Sequence, residues 1–136
     1  MLDEKENIQF QLTEHLIERV EHLIANERDK ELQLFLDDYH YADIAEILDE
    51  LNEDQALYII KLLDSDTTAD VLMELDEDIR EKVLENLSAK EIAEEIEELD
   101  TDDAADMISE LSEERQEEVI SKIEDEEHKA EIEELL

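Results

Sequence analysis

Residues 98–111, ELDTDDAADMISEL, place Asp100, Asp102, Asp103 and Asp106 within seven positions, and an apolar helical pattern follows. On a helix, Asp102 and Asp106 are spaced i,i+4 and Asp103 and Asp106 i,i+3, so they share a face. Like charges at those spacings cost about 0.2–0.5 kcal/mol per pair. A hard divalent cation would reverse that cost, because such ions take oxygen ligands. A plainer reading competes. Asp100 is a natural helix cap, and the macrodipole favours first-turn acids such as Asp102 and Asp103 by roughly 0.3–1 kcal/mol each. Asp106 lies beyond the first turn and is less well explained that way. A site with so few protein ligands would bind weakly, on the order of millimolar.

Other residues offer less. Asp66 and Asp70 repeat the i,i+4 spacing without a surrounding motif. Asp64-Ser65-Asp66-Thr67-Thr68 starts like a calcium loop, but the glycine that makes its sharp turn is missing. His15 and His22 are seven apart, too far for an i,i+4 metal pair, and read as surface or packing residues. His40 belongs at a helix start, and His128 is expected in solvent within a charged tail. Phe10, Phe35, Tyr39, Tyr41 and Tyr58 read as packing residues, and Ser65, Ser88 and Ser112 as corner or cap residues without a base partner.

Composition removes whole classes of chemistry. The 136 residues include no Gly, no Pro and no Cys. Without cysteine there are no disulfides, thiolate nucleophiles or cysteine-ligated metals. Without glycine there is no phosphate loop, dinucleotide fingerprint or nucleophile elbow, so an enzyme is not expected. Asp and Glu number 47 against 11 Lys and Arg, for a net charge of -36. Such a surface repels nucleic acid and anionic lipid and attracts cations and basic protein surfaces. No apolar run approaches the ~20 residues that cross a bilayer. The N-terminus lacks a signal peptide's basic and apolar regions. The expectation is a soluble, cytosolic chain without membrane insertion.

The elements that would position these carboxylates are written in a repeat. Stepping by twelve from Leu51 gives Leu63, Leu75, Leu87, Leu99, Leu111, Ile123 and Leu135. Stepping by twelve from Leu48 gives Ile60, Leu72, Leu84, Ile96, Ile108, Ile120 and Ile132. The two series are three residues apart, so each unit supplies one apolar helical stripe. A third series runs Ile47, Ile59, Val71, Val83, Glu95, Met107 and Val119, with one break at Glu95. After each terminal aliphatic stands Asn52, Asp64, Asp76, Ser88, Asp100 or Ser112, all good N-cap types. Ser88 with Glu91 matches a capping box. Each unit therefore predicts a cap, a helix of about nine residues and a tight corner. Helices this short are marginal alone and must stack on neighbours. Ala45, Ala69 and Ala93 mark alternate units, where small residues would allow close approach.

Residues 1–40 are less regular. Ile8, Leu12, Leu16, Val20, Leu23 and Ile24 predict one longer amphipathic helix, with a shorter one near Glu31–Leu36. The tail Glu124–Glu131 is expected to continue as a final helix. The predicted fold is all-α: a right-handed superhelix, or solenoid, of short helices repeating every twelve residues after a longer N-terminal helix. It is read as one domain over 1–136, with an extension at 1–40 and the repeats at 41–136.

Two motifs resemble a known family. His40-Tyr41-Ala42-Asp43-Ile44-Ala45, leading into an apolar helix, resembles the opening motif of the cytosolic N-terminal domain of MgtE-family magnesium channels. Leu99-Asp100, any residue, Asp102-Asp103, a variable residue and Ala105-Asp106 resembles a second motif of that family. The resemblance covers roughly residues 10–136; Tyr41 and Thr101 stand where proline is usual. It implies a superhelix of short helices on the cytosolic side of the plasma (inner) membrane of a bacterium. Family members continue into paired CBS domains and a membrane domain, so this chain is expected to be an isolated regulatory module, unable to conduct ions by itself. The resemblance further implies that Mg2+ bridges the acidic surface to the CBS domains and pore-linking helices of a full-length homodimer. Plentiful magnesium then holds the pore closed, and scarcity lets the surfaces part. It makes Asp102 and Asp106 the expected metal ligands, with Asp103 secondary. The competing reading is an acidic α-solenoid that serves as a protein-interaction scaffold with no metal role, since fold alone does not decide function.

Overall fold

The structure is a computed structural model and describes residues 13–136. Ten α-helices and no strand form among the described residues. Two compact units divide the chain, one ending at Leu63 and the other running from Asp64 to Leu136.

The first unit holds α1 (Glu14–Ala25), α2 (Asp29–Asp37), α3 (Tyr41–Asp49) and α4 (Glu53–Leu62). The described part of the long first helix predicted from Ile8 onward is α1; Ile8, Phe10 and Leu12 lie outside the described residues. Within this unit α1 packs on α2 and α4, and α3 on α4. Val20, Leu23, Leu32, Leu36, Ile44, Ile47 and Leu48 are buried between them. The polar links here cross about thirty residues of sequence. The Gln33 amide donates to the Leu62 carbonyl at 3.0 Å, and the Tyr58 hydroxyl bonds Asp29. That bond, with the negative charges of Asp29 and Glu27, raises the Tyr58 phenol to about 12.

The second unit holds α5 (Ser65–Glu74), α6 (Glu77–Glu85), α7 (Ala89–Glu97), α8 (Thr101–Ser109), α9 (Glu113–Lys122) and α10 (Glu126–Leu135). Helices two apart in the chain pack together, α7 on α5 and α9, and α8 on α10. This is the solenoid arrangement that a twelve-residue unit needs in order to bury its stripe. Leu72, Leu84, Ile96, Ile108 and Ile132 of the second aliphatic series are buried. The first series buries Leu75, Leu87, Leu99 and Ile123 but leaves Leu135 53 % exposed.

The caps divide. Asn52, Asp64, Ser88 and Ser112 accept from a first-turn amide through the side chain, and Asn52–Gln55 and Ser88–Glu91 form capping boxes. Asp76 and Asp100 occupy the N-cap position without a side-chain cap hydrogen bond. His40 starts α3 with Nδ1 accepting from the Ala42 amide at 3.2 Å. The final helix begins at Glu126, after Asp125 accepts from the Glu127 and His128 amides.

Two arginines tie separate helices together. Arg80 on α6 donates to both carboxylate oxygens of Glu110 and also to the Leu72 and Leu75 carbonyls that end α5. Arg115 on α9 donates to the Leu84 and Leu87 carbonyls that end α6. The Leu72 and Leu84 carbonyls also accept from the Leu75 and Leu87 amides, so each guanidinium adds a second donor there and supplies one to the Leu75 and Leu87 carbonyls beyond the helix end.

Candidate functional site

Helix α8 carries the aspartate cluster. Asp100 is its N-cap, Asp102 and Asp103 lie in its first turn, and Asp106 is one turn beyond Asp102. The face opposite the acids explains the local fold: Ala104, Ala105, Met107 and Ile108 are buried, which turns Asp102 and Asp106 outward.

Asp102 and Asp106 line one wall of an open depression of about 690 Å³, with Ala105, Ser109, Gln116, Leu135 and Leu136. Asp103 is half-buried and does not line it; Asp100 is exposed and does not line it either. The structure thus brings together the two principal predicted ligands and leaves the secondary one aside. The Gln116 amide nitrogen donates to the Leu111 carbonyl at 2.9 Å, so the oxygen of that side chain is what it can offer. The Ser109 hydroxyl donates to the Asp106 carbonyl at 2.6 Å and keeps oxygen lone pairs for a further partner.

These donors are all oxygen, the type that magnesium takes. Neither Asp102 nor Asp106 has an ion-pair partner among the described residues. Their number is small, and no group of three or more His, Cys, Asp or Glu is arranged to hold a metal among the described residues. The donor set therefore fits one part of a cation's shell, with water or another surface supplying the rest.

The remaining candidates separate. Asp66 is exposed and Asp70 half-buried on α5. His15 and His22 are exposed on α1, and Asn26 donates its amide to the His22 carbonyl at 2.8 Å. His128, expected in solvent, is half-buried instead, with a ring nitrogen 3.4 Å from the Ile96 carbonyl. The docking of α10 brings it there, and local composition gives no hint of that. Phe35 meets Tyr39 edge-on at 5.4 Å, and Arg19 sits over the Phe35 ring at 5.5 Å. A second acidic depression, of about 370 Å³, is lined by Thr13, Glu14, Ile17, Glu18, Glu21 and Glu50 in the first unit.

One carboxyl was not singled out by its chemistry. Glu95 on α7 is only 7 % exposed, and burial pushes it up to about 7. Glu94 and Glu91 add to the rise, and its own backbone amide opposes it. The available signal was its place in the third twelve-residue series, where every other member is apolar.

No helix among the described residues is long and apolar enough to cross a membrane. Residues 39–136 match the family described as the MgtE intracellular N domain, a narrower span than the two motifs suggested. A comparison with curated proteins finds no match. A crystal structure of the soluble part of a magnesium transporter is similar with a TM-score of 0.77 at 21 % identity, covering 90 % of this chain and 48 % of that one. This chain therefore spans about half the length of the structure it matches.

Proposed function

Because the chain belongs to the family of MgtE intracellular N domains, we propose that it is the magnesium-responsive regulatory part of a magnesium channel or transporter. In this reading residues 1–136 act as one regulatory domain on the cytoplasmic side of the membrane, and the chain itself is not a catalyst. Magnesium bound at Asp102 and Asp106, with Asp103 nearby, bridges α8 to CBS domains and pore-linking helices of the same protein, itself a homodimer. Bridging holds the pore closed. Loss of the ion returns the carboxylates to mutual repulsion and lets the surfaces part.

The observation that supports this most is the pair itself. Two exposed carboxylates sit one turn apart, without a basic partner among the described residues, on the wall of a depression otherwise lined by oxygen donors and aliphatic carbon. The scaffold reading draws on one feature of the same place, the exposure of Leu135 at 53 % and Leu136 at 46 %. Thermal unfolding in magnesium chloride, against sodium chloride of equal ionic strength, separates the two. At a concentration ten times a millimolar dissociation constant, specific binding adds about 1.4 kcal/mol beyond screening. The double variant Asp102→Asn/Asp106→Asn should lose that increment. Equal stabilisation of both chains by both salts would favour the scaffold.

A further inference from the structure

A carboxyl group stands in the second unit where the packing pattern calls for hydrocarbon. Ile47, Ile59, Val71, Val83, Met107 and Val119 take the equivalent positions of the other twelve-residue units, and all are buried. Glu95 is buried with them, between Ile92 and Ile96 in neighbouring turns of α7, both of which have no exposure at all. Its Oε2 is enclosed and accepts no hydrogen bond. The residue's own backbone amide favours the charged form but is outweighed by burial, so the enclosed carboxylate is costlier than the enclosed carboxylic acid.

Among the described residues, no cation pairs with it. On α7 itself Glu91 and Glu94 both oppose ionisation, and the one cation, Lys90, is exposed. Of the helices packed against it, α5 carries Asp66, Asp70 and Glu74, and α8 carries Asp102, Asp103 and Asp106. Helix α9 carries Glu113, Glu114, Glu117 and Glu118, with Arg115 and Lys122 as its cations. Arg115 is committed to the Leu84 and Leu87 carbonyls and lies 3.6 Å from Glu118, and Lys122 is exposed. From α10, His128 reaches the Ile96 carbonyl, one residue beyond Glu95.

We propose that Glu95 is a proton-operated latch in the helical stack: protonated, it keeps α7 seated between α5 and α9, and on losing its proton it loosens that seat. The step is a simple ionisation, with the proton passing to water. The carboxylate then gains stability only by reaching solvent, which requires α7 to shift or open. Burial, which pushes Glu95 up to about 7, places the release within the range of cytosolic acidity. The latch uses none of the residues assigned to magnesium at α8.

Amide hydrogen exchange of α7, corrected for the intrinsic pH dependence of exchange, tests the latch on the whole chain. Between pH 5.5 and 8.5, protection at Ile92 and Ile96 should fall at least about tenfold in the wild type, since each unit of raised pKa is a tenfold change in the folding constant. Glu95→Gln should flatten that profile, and Glu95→Met, which restores the hydrocarbon of the equivalent Met107, should do the same. His128→Asn should keep the wild-type profile. Carbon NMR of the Glu95 carboxyl in the unaltered protein should show a midpoint near 7. A midpoint below about 5, parallel profiles for wild type and both Glu95 variants, or a profile lost in His128→Asn would each overturn the proposal.

Discussion

Arg80 is the side chain whose removal the fold should feel most sharply outside its apolar core. Its Nε and Nη2 donate to Glu110 at 2.9 and 3.0 Å, and Nη1 donates to the Leu75 and Leu72 carbonyls at 3.2 and 3.3 Å. The two charged side chains are 16 % and 21 % exposed. A fully exposed pair contributes about 0–1 kcal/mol, and breaking a fully buried one costs about 3–5 kcal/mol. Discounting for the remaining water, Arg80→Met should cost about 2–3 kcal/mol. Methionine keeps most of the aliphatic stem, so the loss is chiefly polar. Glu110→Gln alone should cost less, about 1 kcal/mol, because the guanidinium keeps its two carbonyl partners. In a double-mutant cycle read by urea unfolding, the two substitutions should couple by about 1 kcal/mol. A chain of this size loses roughly 4 °C of Tm per kcal/mol, so Arg80→Met should melt about 8–12 °C lower. A cost below about 0.5 kcal/mol for Arg80→Met would refute the view that helix ends are joined by shared guanidinium contacts.

Three further outcomes follow from local geometry. The pKa of Glu95 is raised in the fold, so its stabilising contribution is present below the ordinary carboxylate value and is lost as pH rises from about 4.5 through about 7; Glu95→Met should therefore gain about 2–3 kcal/mol on the wild type at pH 8 and much less at pH 4.5, by urea unfolding. Ser88→Ala should cost about 1 kcal/mol because a capping box is lost, whereas Asp100→Ala should cost under about 0.5 kcal/mol because no side-chain cap bond exists to lose. Glu27 closes α1 at φ 52, with the Arg28 and Glu27 amides bonded to the Leu23 and Ile24 carbonyls, so Glu27→Gly should raise stability by about 0.5–1 kcal/mol in the same assay.

The stacked helices were largely legible because the chain repeats one solution to one problem. A short helix must bury a stripe, and Leu72, Leu84, Ile96 and Ile108 recur at the interval that stacking requires. The helix starts were equally plain at Asn52 and Ser88, since a cap and its first-turn partner lie three residues apart. What the pattern could not convey depends on which helices end up adjacent. Arg80 finds Glu110 thirty residues away, and His128 is drawn out of solvent by Ile96, across intervals with no short-range signature. Periodicity also misled at its edge: Leu135 occupies a core register but is exposed at the end of α10. At the candidate site, helical spacing was enough to put Asp102 and Asp106 on one face. It could not show that Asp103 falls to the side, or that Ser109 and Gln116 line the same depression.

The central claim is that magnesium acts through Asp102 and Asp106, and its most direct measurement is magnesium-dependent closure of a transporter carrying this domain. With the native aspartates, current or flux should fall as cytosolic magnesium rises through the millimolar range. With Asp102→Asn/Asp106→Asn it should persist at concentrations that shut the native protein. Closure at the same magnesium concentration in both proteins would contradict the account.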